Sequence, residues 1–404
     1  MADTKISETT EFLTQIHTAW DGTEQRAALR GRPRRYLAYD YVGVRNWQSQ
    51  YLRALAYTRQ TQKIEFPLWH CAGSLKGTAY KGASALGVSA DRLWGYRGAG
   101  GALLWADDEL GGDRYGLRSL ASDGTVGLTK QLTQNYPGGK TVVCPVAWGV
   151  LQQEDKFVNG SSQITSMTIN VELIEDYQAP PFPPAIDEYQ PELVQPPWGK
   201  NLPGTYQGAE LFLLPPSWTK DMPASFKRNA ARLDNQSGVF RYDLKSVDPT
   251  ESREMDYVLT RRGEINNLQR FFYRCKGRLK SFWAPTWLSD MELAENAPAG
   301  QNYLLVNWSG YWQYYASTKR RRTLVAFAND GTAEILAIAG YSTDPTGELG
   351  KVYLDSELKR PLARNNTLML SFLCRYRFDS DTLLVDYDTV NIANCATTLA
   401  EVTE

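Results

Sequence analysis

The chain has 404 residues, enough for two or three domains, and a formal net charge of −1, which implies no general attraction to nucleic acid or to an anionic membrane surface. Aromatic residues make up 12% and charged residues 22%, and 32 glycines with 20 prolines point to β structure broken by many turns.

The first 20 residues carry Asp3, Glu8 and Glu11 and have no apolar core, so no secretory signal is expected. No stretch approaches the roughly 18–20 apolar residues that span a bilayer, so no membrane insertion is expected. Asp21-Gly22 marks a turn. The run from Glu24 to Arg35, with Arg26, Arg30, Arg32, Arg34, Arg35 and the later Arg45, reads as a solvated strand edge or as a contact surface for an acidic neighbour. Residues 36–42 (YLAYDYV) predict a strand, and a helix follows. Residues 71–145 are glycine-rich and predict several short strands with tight turns. Their GYRGAGG lacks the Lys-Ser/Thr and the strand–helix setting of a phosphate loop. TVVCPVAWGVLQQ and ITSMTINVELIE predict two further strands.

Eight prolines between Pro180 and Pro203 favour extended polyproline II, which makes residues 176–205 a linker. It is either a passive tether or a strap anchored by Phe182, Tyr189 and Trp198. Beyond it, ELFLLPPSWTKDM predicts a strand stopped by Pro215-Pro216, and the break at Asn235–Gly238 predicts a hairpin. NYLLVNWSGYWQYYA, RTLVAFANDGTAEILAIAG, VYLDSEL and TLMLSFLCRYRFDSDTLLVDYDT predict successive strands, with Lys319-Arg320-Arg321-Arg322 as a basic loop tip.

The organising stretch is Arg261 to Trp287, RRGEINNLQRFFYRCKGRLKSFWAPTW. Ile265, Leu268, Phe272 and Cys275 share one helical face, widened by Phe271. Gly277 is the expected left-handed C-cap. Leu279, Ser281 and Trp283 then alternate with Lys280 and Phe282 as a short strand before an Ala-Pro turn closing on Trp287. Arg45 to Trp69 shows the same order: a helical face of Trp47, Tyr51, Ala54 and Leu55 with Leu52, then Tyr57, Phe66 and Trp69 matched to Tyr273, Phe282 and Trp287. Tyr36, Ala38 and Tyr39–Tyr41 match Glu254–Leu259, and Asp123-Gly124 matches Asp330-Gly331 as a hairpin turn. The pattern is that of a tandem duplication with a spacing of about 210 residues.

Cys71, Cys144, Cys275, Cys374 and Cys395 include no CxxC pair, and reduced, mostly buried thiols are expected in a chain made in a reducing cytoplasm. His17 and His70 have no companion at metal-ligand spacing, so no metal and no cofactor is expected. His70 beside Cys71 reads as a packed polar residue rather than half of a dyad, and no GxSxG elbow occurs. Asp107-Asp108-Glu109 and Asp379, Asp381 and Asp386 are the densest carboxylates. Paired carboxylates among Trp and Tyr suit a glycosidase, yet acidic groups are common at turns. No catalytic, cofactor-binding or metal residue is assigned, and the expectation is a protein that is not an enzyme.

DGTEQRAALRGRPRRYLAYDY followed by a helix resembles the opening of tailed-bacteriophage tail-tip proteins, distal tail proteins among them. LFLLPPSWTKDM, ARLDNQSGVFRYD, GEINNLQRFFYRCKGRLKSFWAPTWLSD and RYRFDSDTLLVDYDTVNIANCATTLAEV resemble, in the same order, a family of phage and prophage tail proteins. The resemblance implies a structural virion component of a tail tip or baseplate, either the distal tail ring or a neighbouring hub, and carries over no catalytic residues. It implies a homo-oligomer, a trimer or hexamer ring, that contacts tube, hub and fibre proteins around a DNA lumen without specific nucleic-acid binding. A trimer of a duplicated chain has six similar domains, which matches a six-fold tube and a three-fold tip. The location implied is the virion, after synthesis in the host cytoplasm.

The fold expected is mainly β: tandem duplicated β-sandwich or β-barrel modules, residues 1–175 and 206–404, each with one principal packed helix. Two rival functions are a virion carbohydrate- or receptor-binding module, motivated by the Trp and Tyr content, and a cell-wall glycosidase. The alternative account of these aromatics is core packing and subunit contact, which is the reading favoured for Trp283 and Trp287.

Overall fold

The computed structural model is mainly β, with large antiparallel sheets and few helices. It describes residues 5–402 apart from 44, 107–111, 153–156, 162–163, 175–178, 184–198, 200, 308–309, 316, 319 and 344–347. In the first half, β1 (Ile6–Glu11) precedes a hairpin of β2 (Thr14–Thr18) and β3 (Glu24–Ala28). Then come β4 (Arg34–Gly43), α1 (Asn46–Arg59) and β5 (Lys63–Pro67). Short strands β6 (Gly73–Ser74), β7 (Ala85–Gly87), β8 (Gly101–Trp105), β9 (Asp113–Leu120) and β10 (Thr125–Leu128) follow. The half closes with β11 (Val142–Leu151), β12 (Phe157–Asn159) and β13 (Thr165–Ile174).

After the two-residue strands β14 (Thr205–Tyr206) and β15 (Ala209–Glu210), the second half opens with β16 (Ala224–Lys227) and a hairpin of β17 (Ala230–Asp234) and β18 (Phe240–Leu244). It continues with β19 (Thr250–Leu259), α2 (Arg262–Cys275), β20 (Phe282–Pro285), β21 (Tyr303–Asn307) and the single turn α3 (Tyr311–Tyr314). The last strands are β22 (Thr323–Ala328), β23 (Ala333–Thr343), β24 (Leu349–Leu354), β25 (Thr367–Phe378), β26 (Thr382–Tyr387) and β27 (Ala393–Glu401).

The strand pairings of the two halves repeat. β4 pairs with β1 and β13, and β19 pairs with β16 and β27. β12 and β11 lie along opposite ends of β13, as β26 and β25 lie along β27. β5 and β8 flank β11, as β20 and β22 flank β25. Even the hairpin recurs: β2 opens at Thr14 and β17 at Ala230, β3 at Glu24 and β18 at Phe240, α1 at Asn46 and α2 at Arg262, always a step of 216 residues. The halves join where β1 pairs with β26, Ile6 opposite Tyr387. One run of strands, each antiparallel to the next, therefore reads β12-β13-β4-β1-β26-β27-β19-β16.

The register corrects two residue matches. Gly149 pairs with Leu173 and Ile64, and Tyr376 pairs with Glu401 and Phe282. Ile64, not Phe66, thus holds the place of Phe282, while Trp69 and Trp287 keep theirs. The Asp123-Gly124 turn joins β9 to β10, whereas Asp330-Gly331 joins β22 to β23, the counterparts of β8 and β9. Similar turn chemistry serves different hairpins.

The two helices begin alike and pack differently. Glu264 accepts from the backbone N–H groups of Thr260 and Arg261, and Gln48 accepts from that of Arg45, which satisfies donors that a helix start leaves open. α2 ends with Lys276 and Gly277 both left-handed. At Gly277 a Cβ would meet the Asp381 carboxylate, so both space and φ require glycine there. Nine of the 14 residues of α2 are buried but only Ser49, Leu52 and Ala56 of α1. The expected buried face of α1 is thereby overturned at Trp47, Tyr51 and Ala54, which are exposed. Small residues let α1 sit close to its sheet, and its large aromatics point the other way.

Leu268, Phe271 and Phe272 of α2 pack into a core with Phe12, Phe282 and Phe378. Phe271 stacks on Phe212 at 4.6 Å, and Phe272 meets Phe378 edge-on at 5.1 Å; such pairs contribute about 0.5–1.5 kcal/mol beyond area burial. Trp287 is buried and stacks on Phe327, while Trp283 is half-buried beside Tyr206. Among the described residues of the NYLLVNWSGYWQYYA segment only β21 is a strand, and Tyr311–Tyr314 turn helically. The ELFLL strand shrinks to β15 and a bridge between Leu211 and Trp283, since the paired prolines end the ladder. Phe182 packs on Trp94 at 5.8 Å; Tyr189 and Trp198 lie outside the described residues.

Candidate functional site

The densest polar chemistry lies at the junction of the two halves. β1 brings Glu8, β4 brings Arg35, the turn Trp69–Cys71 after β5 brings His70 and Cys71, α2 brings Arg262 and Gln269, and β26 brings Tyr387. Alternation in β1 points Glu8 inward, where it is buried. A buried carboxylate needs compensation. Arg35 Nη2 donates to Glu8 Oε1 at 2.6 Å, and Gln269 Nε2 and Tyr387 OH donate to Oε2 at 2.8 and 3.0 Å. His70 Nε2 lies 3.4 Å from the same oxygen. Arg262 donates to the His70 carbonyl at 2.9 Å and to the Cys71 sulfur at 3.2 Å.

These neighbours set the protonation states. Burial alone would raise the Glu8 pKa, yet Arg35 and His70 hold it well below the usual carboxylate range. Burial would lower His70, but Cys71 and Glu8 raise it to about 9. Burial would raise the Cys71 thiol, and His70 with Arg262 lower it to about 7. A thiol beside an imidazole has the composition of a nucleophile and base. Here both side chains are buried, and their charges are engaged by Glu8 and Arg262.

The rest of the junction is made by α2 and the hairpin. The outer face of α2 packs on the 3-10 turn Ala90–Tyr96: Asn266 donates to the Asp91 carbonyl, and Tyr273 meets Trp94 edge-on at 5.0 Å. The hairpin β2–β3 reaches across the second half, where Glu24 accepts two hydrogen bonds from Arg377, both at 2.8 Å. At its tip the Trp20 carbonyl accepts from Asn229, and Lys245 sits over the Trp20 ring. A cleft of about 570 Å³ opens there, lined by Asp21, Lys245, Arg320 and Arg375 among others. A second, lined by Phe12, Arg97, Phe182 and Tyr273, lies beside α2. Neither carries a His or Cys among its described lining residues.

The carboxylates singled out in the sequence also serve the junction. Asp381 accepts from the backbone N–H and hydroxyl of Thr14 and from the Arg278 N–H. Asp386 accepts from Ser7 and pairs with Lys5 at 3.1 Å. Asp379 pairs with Arg377 at 2.8 Å. Asp107-Asp108-Glu109 lie outside the described residues. The basic run after β3 meets acids of its own chain: Arg30 with Glu11, Arg35 with Glu8 and Arg34 with Glu172.

The expected basic loop tip is corrected at Arg321. It is buried, with Nη2 2.8 Å from Glu251 and its other end on Glu401, and Tyr376 donates to Glu251 at 3.0 Å. Lys319 lies outside the described residues. No group of three or more His, Cys, Asp or Glu able to hold a metal occurs among the described residues, and no described helix is long and apolar enough to cross a membrane. His17 lies on β2, far in sequence and in partners from His70.

Sequence reasoning missed Glu8, Arg35, Arg262, Gln269 and Tyr387. The one available signal was a glutamate at an inward position of an alternating strand. Comparison with protein-family models and with curated proteins gives no match.

Proposed function

We propose that the chain is a structural virion component of a tailed-phage tail tip or baseplate, forming a ring or hub that connects the tail tube to host-recognition proteins around the DNA lumen. Residues 1–175 and 206–404 act as two related modules joined by 176–205. The observation that carries this reading is the repeat of a whole unit, projecting hairpin included, with its most elaborate polar chemistry placed where one unit meets the next rather than in an open cleft. A surface of that kind serves assembly. Mass spectrometry of purified particles should find the chain in stoichiometric amounts, and particles lacking it should fail to deliver DNA. Its absence from tails would overturn the reading.

The rivals share one experiment. Purified chain is incubated with host cell-wall material: binding without turnover favours a receptor-binding module, and release of soluble sugar would overturn a purely structural account.

A further inference from the structure

The strands, helix and hairpin that form the junction between the two halves have counterparts elsewhere in the chain. Glu8 pairs with Leu37 as Ala224 pairs with Arg253, so β16 is the counterpart of β1. Val385 pairs with Cys395 as Phe157 pairs with Met167, so β12 is the counterpart of β26. Among the described residues β12 pairs with β13 alone and β16 with β19 alone. Both ends of the eight-strand run are therefore open edges, and an open edge is a template for another strand.

The remaining counterparts are open too. α2 turns its outer face to the 3-10 turn that precedes β8; α1, its counterpart, exposes Trp47, Tyr51 and Tyr57, the last 90% accessible. The turn α3, which precedes β22, carries Trp312 and Tyr314 exposed. β2–β3 lies across the neighbouring half, whereas all ten strand residues of β17–β18 are exposed, Leu233, Phe240 and Tyr242 among them. Single exposed apolar residues are ordinary, but aromatic groups on three surfaces that mirror a buried junction are not.

We propose that a second copy of this chain covers these surfaces, head to tail. β16 of one copy pairs antiparallel with β12 of the next, α1 of that next copy packs on α3, and the β17–β18 hairpin lies over its first half. The proposal rests on the assembly role argued above and names the surface that performs it. Strand directions alternate through the run, so an antiparallel join continues the alternation. The contact links unlike surfaces, and such contacts give a ring where the rotation between copies closes and a filament where it does not. The register follows from the chain itself: Glu8 opposite Val385 places Ala224 opposite Phe157.

The test is a cross-link in the full chain. Paired antiparallel residues sit about 4.5–5.5 Å apart at Cα, within the roughly 4.4–6.8 Å that a disulfide spans. Ala224→Cys with Phe157→Cys should give covalently linked copies on mild oxidation, and neither single variant should, since all five native thiols are buried. Ala224→Cys with Val158→Cys, one residue out of register, should give at least about tenfold less, because side chains alternate faces. Tyr51→Asp and Phe240→Asp should each weaken self-association at least about tenfold, with circular dichroism unchanged. An oligomer that lacks the 224–157 cross-link and ignores these variants overturns the interface and leaves the assembly role standing. A chain that stays monomeric at every concentration reached also overturns the interface; its presence in tails then decides the assembly role separately.

Discussion

Arg262, the first residue of α2, donates to the carbonyl oxygen of His70 at 2.9 Å across 192 residues of chain. The contact joins the two halves through a buried guanidinium, and its counterpart Asn46 at the start of α1 is exposed. Arg262→Ala should therefore cost about 1.5–3 kcal/mol for each charged hydrogen bond removed. Asn46→Ala should stay within about 0.5 kcal/mol in the isolated chain. Urea unfolding of the pair measures the difference; equal effects would remove the junction as a source of stability.

Phe272→Ala should destabilise by about 3–5 kcal/mol, the range for truncating a buried aromatic. Phe272 is 1% exposed and touches Phe12 as well as Phe378, so the cavity opens where the first half's chain enters the second half's core. Chemical denaturation gives the number, and a loss below about 1 kcal/mol would mean that the site collapses freely.

Arg321 supports Glu251 and Glu401 together. Removing it leaves Glu251 with Arg253 at 2.6 Å and Glu401 with the more distant Arg320, so Arg321→Ala should cost about 1.5–3 kcal/mol for each charged hydrogen bond removed. The triple replacement of Arg321, Glu251 and Glu401 by apolar residues should recover little of that loss, because it leaves the buried Arg253 without the carboxylate it pairs with at 2.6 Å. Melting temperatures of the two variants make the comparison.

Glu8 gives a pH dependence with a defined sign. Its folded pKa lies well below the ordinary 4.5, so its contribution is fully present above that value and is lost as pH falls through the folded pKa. The stability gap between wild type and Glu8→Gln should grow as pH falls from about 9 to 6, because Glu8 also helps hold His70 up at about 9, and should shrink below about pH 5 as Glu8 itself is protonated. A gap that widened below about pH 5 would place Glu8 in its protonated form.

All five cysteines are buried without partners in disulfides. Ellman's reagent should find no fast-reacting thiol in the native chain and five after denaturation. Fast labelling of Cys71 would mean that the junction opens, and its lowered pKa would make it the first thiol to respond.

Much of the architecture was legible because it is written locally. α2 announces itself through the spacing of Ile265, Leu268, Phe272 and Cys275, all four buried, and β17–β18 through the break at Asn235–Gly238. For α1 the sequence points to Leu52 correctly but not away from Trp47 and Tyr51, which follow helical spacing as well as Leu52 and Ala56 do. Apolar spacing alone cannot say which stripe meets the sheet. The turn Ala90–Tyr96 is too short for a period. The burial of Arg321 is not legible in the sequence, because its acids lie 70 and 80 positions away. The Glu8 cluster has the same character: its members meet only in the folded chain.

The pairing of β1 with β26 also fixes the order in which the molecule is finished. Ile6 leaves the ribosome 381 positions ahead of Tyr387. At roughly 5–20 residues per second that interval is on the order of 20–75 s. Throughout it the outer edge of β1 waits without its strand, with Glu8 and Glu11 as the charges that discourage capture by another nascent chain. The seam between the halves thus closes long after β1 is made, and a polysome crowded with unfinished copies is where this fold is most exposed to the wrong partner.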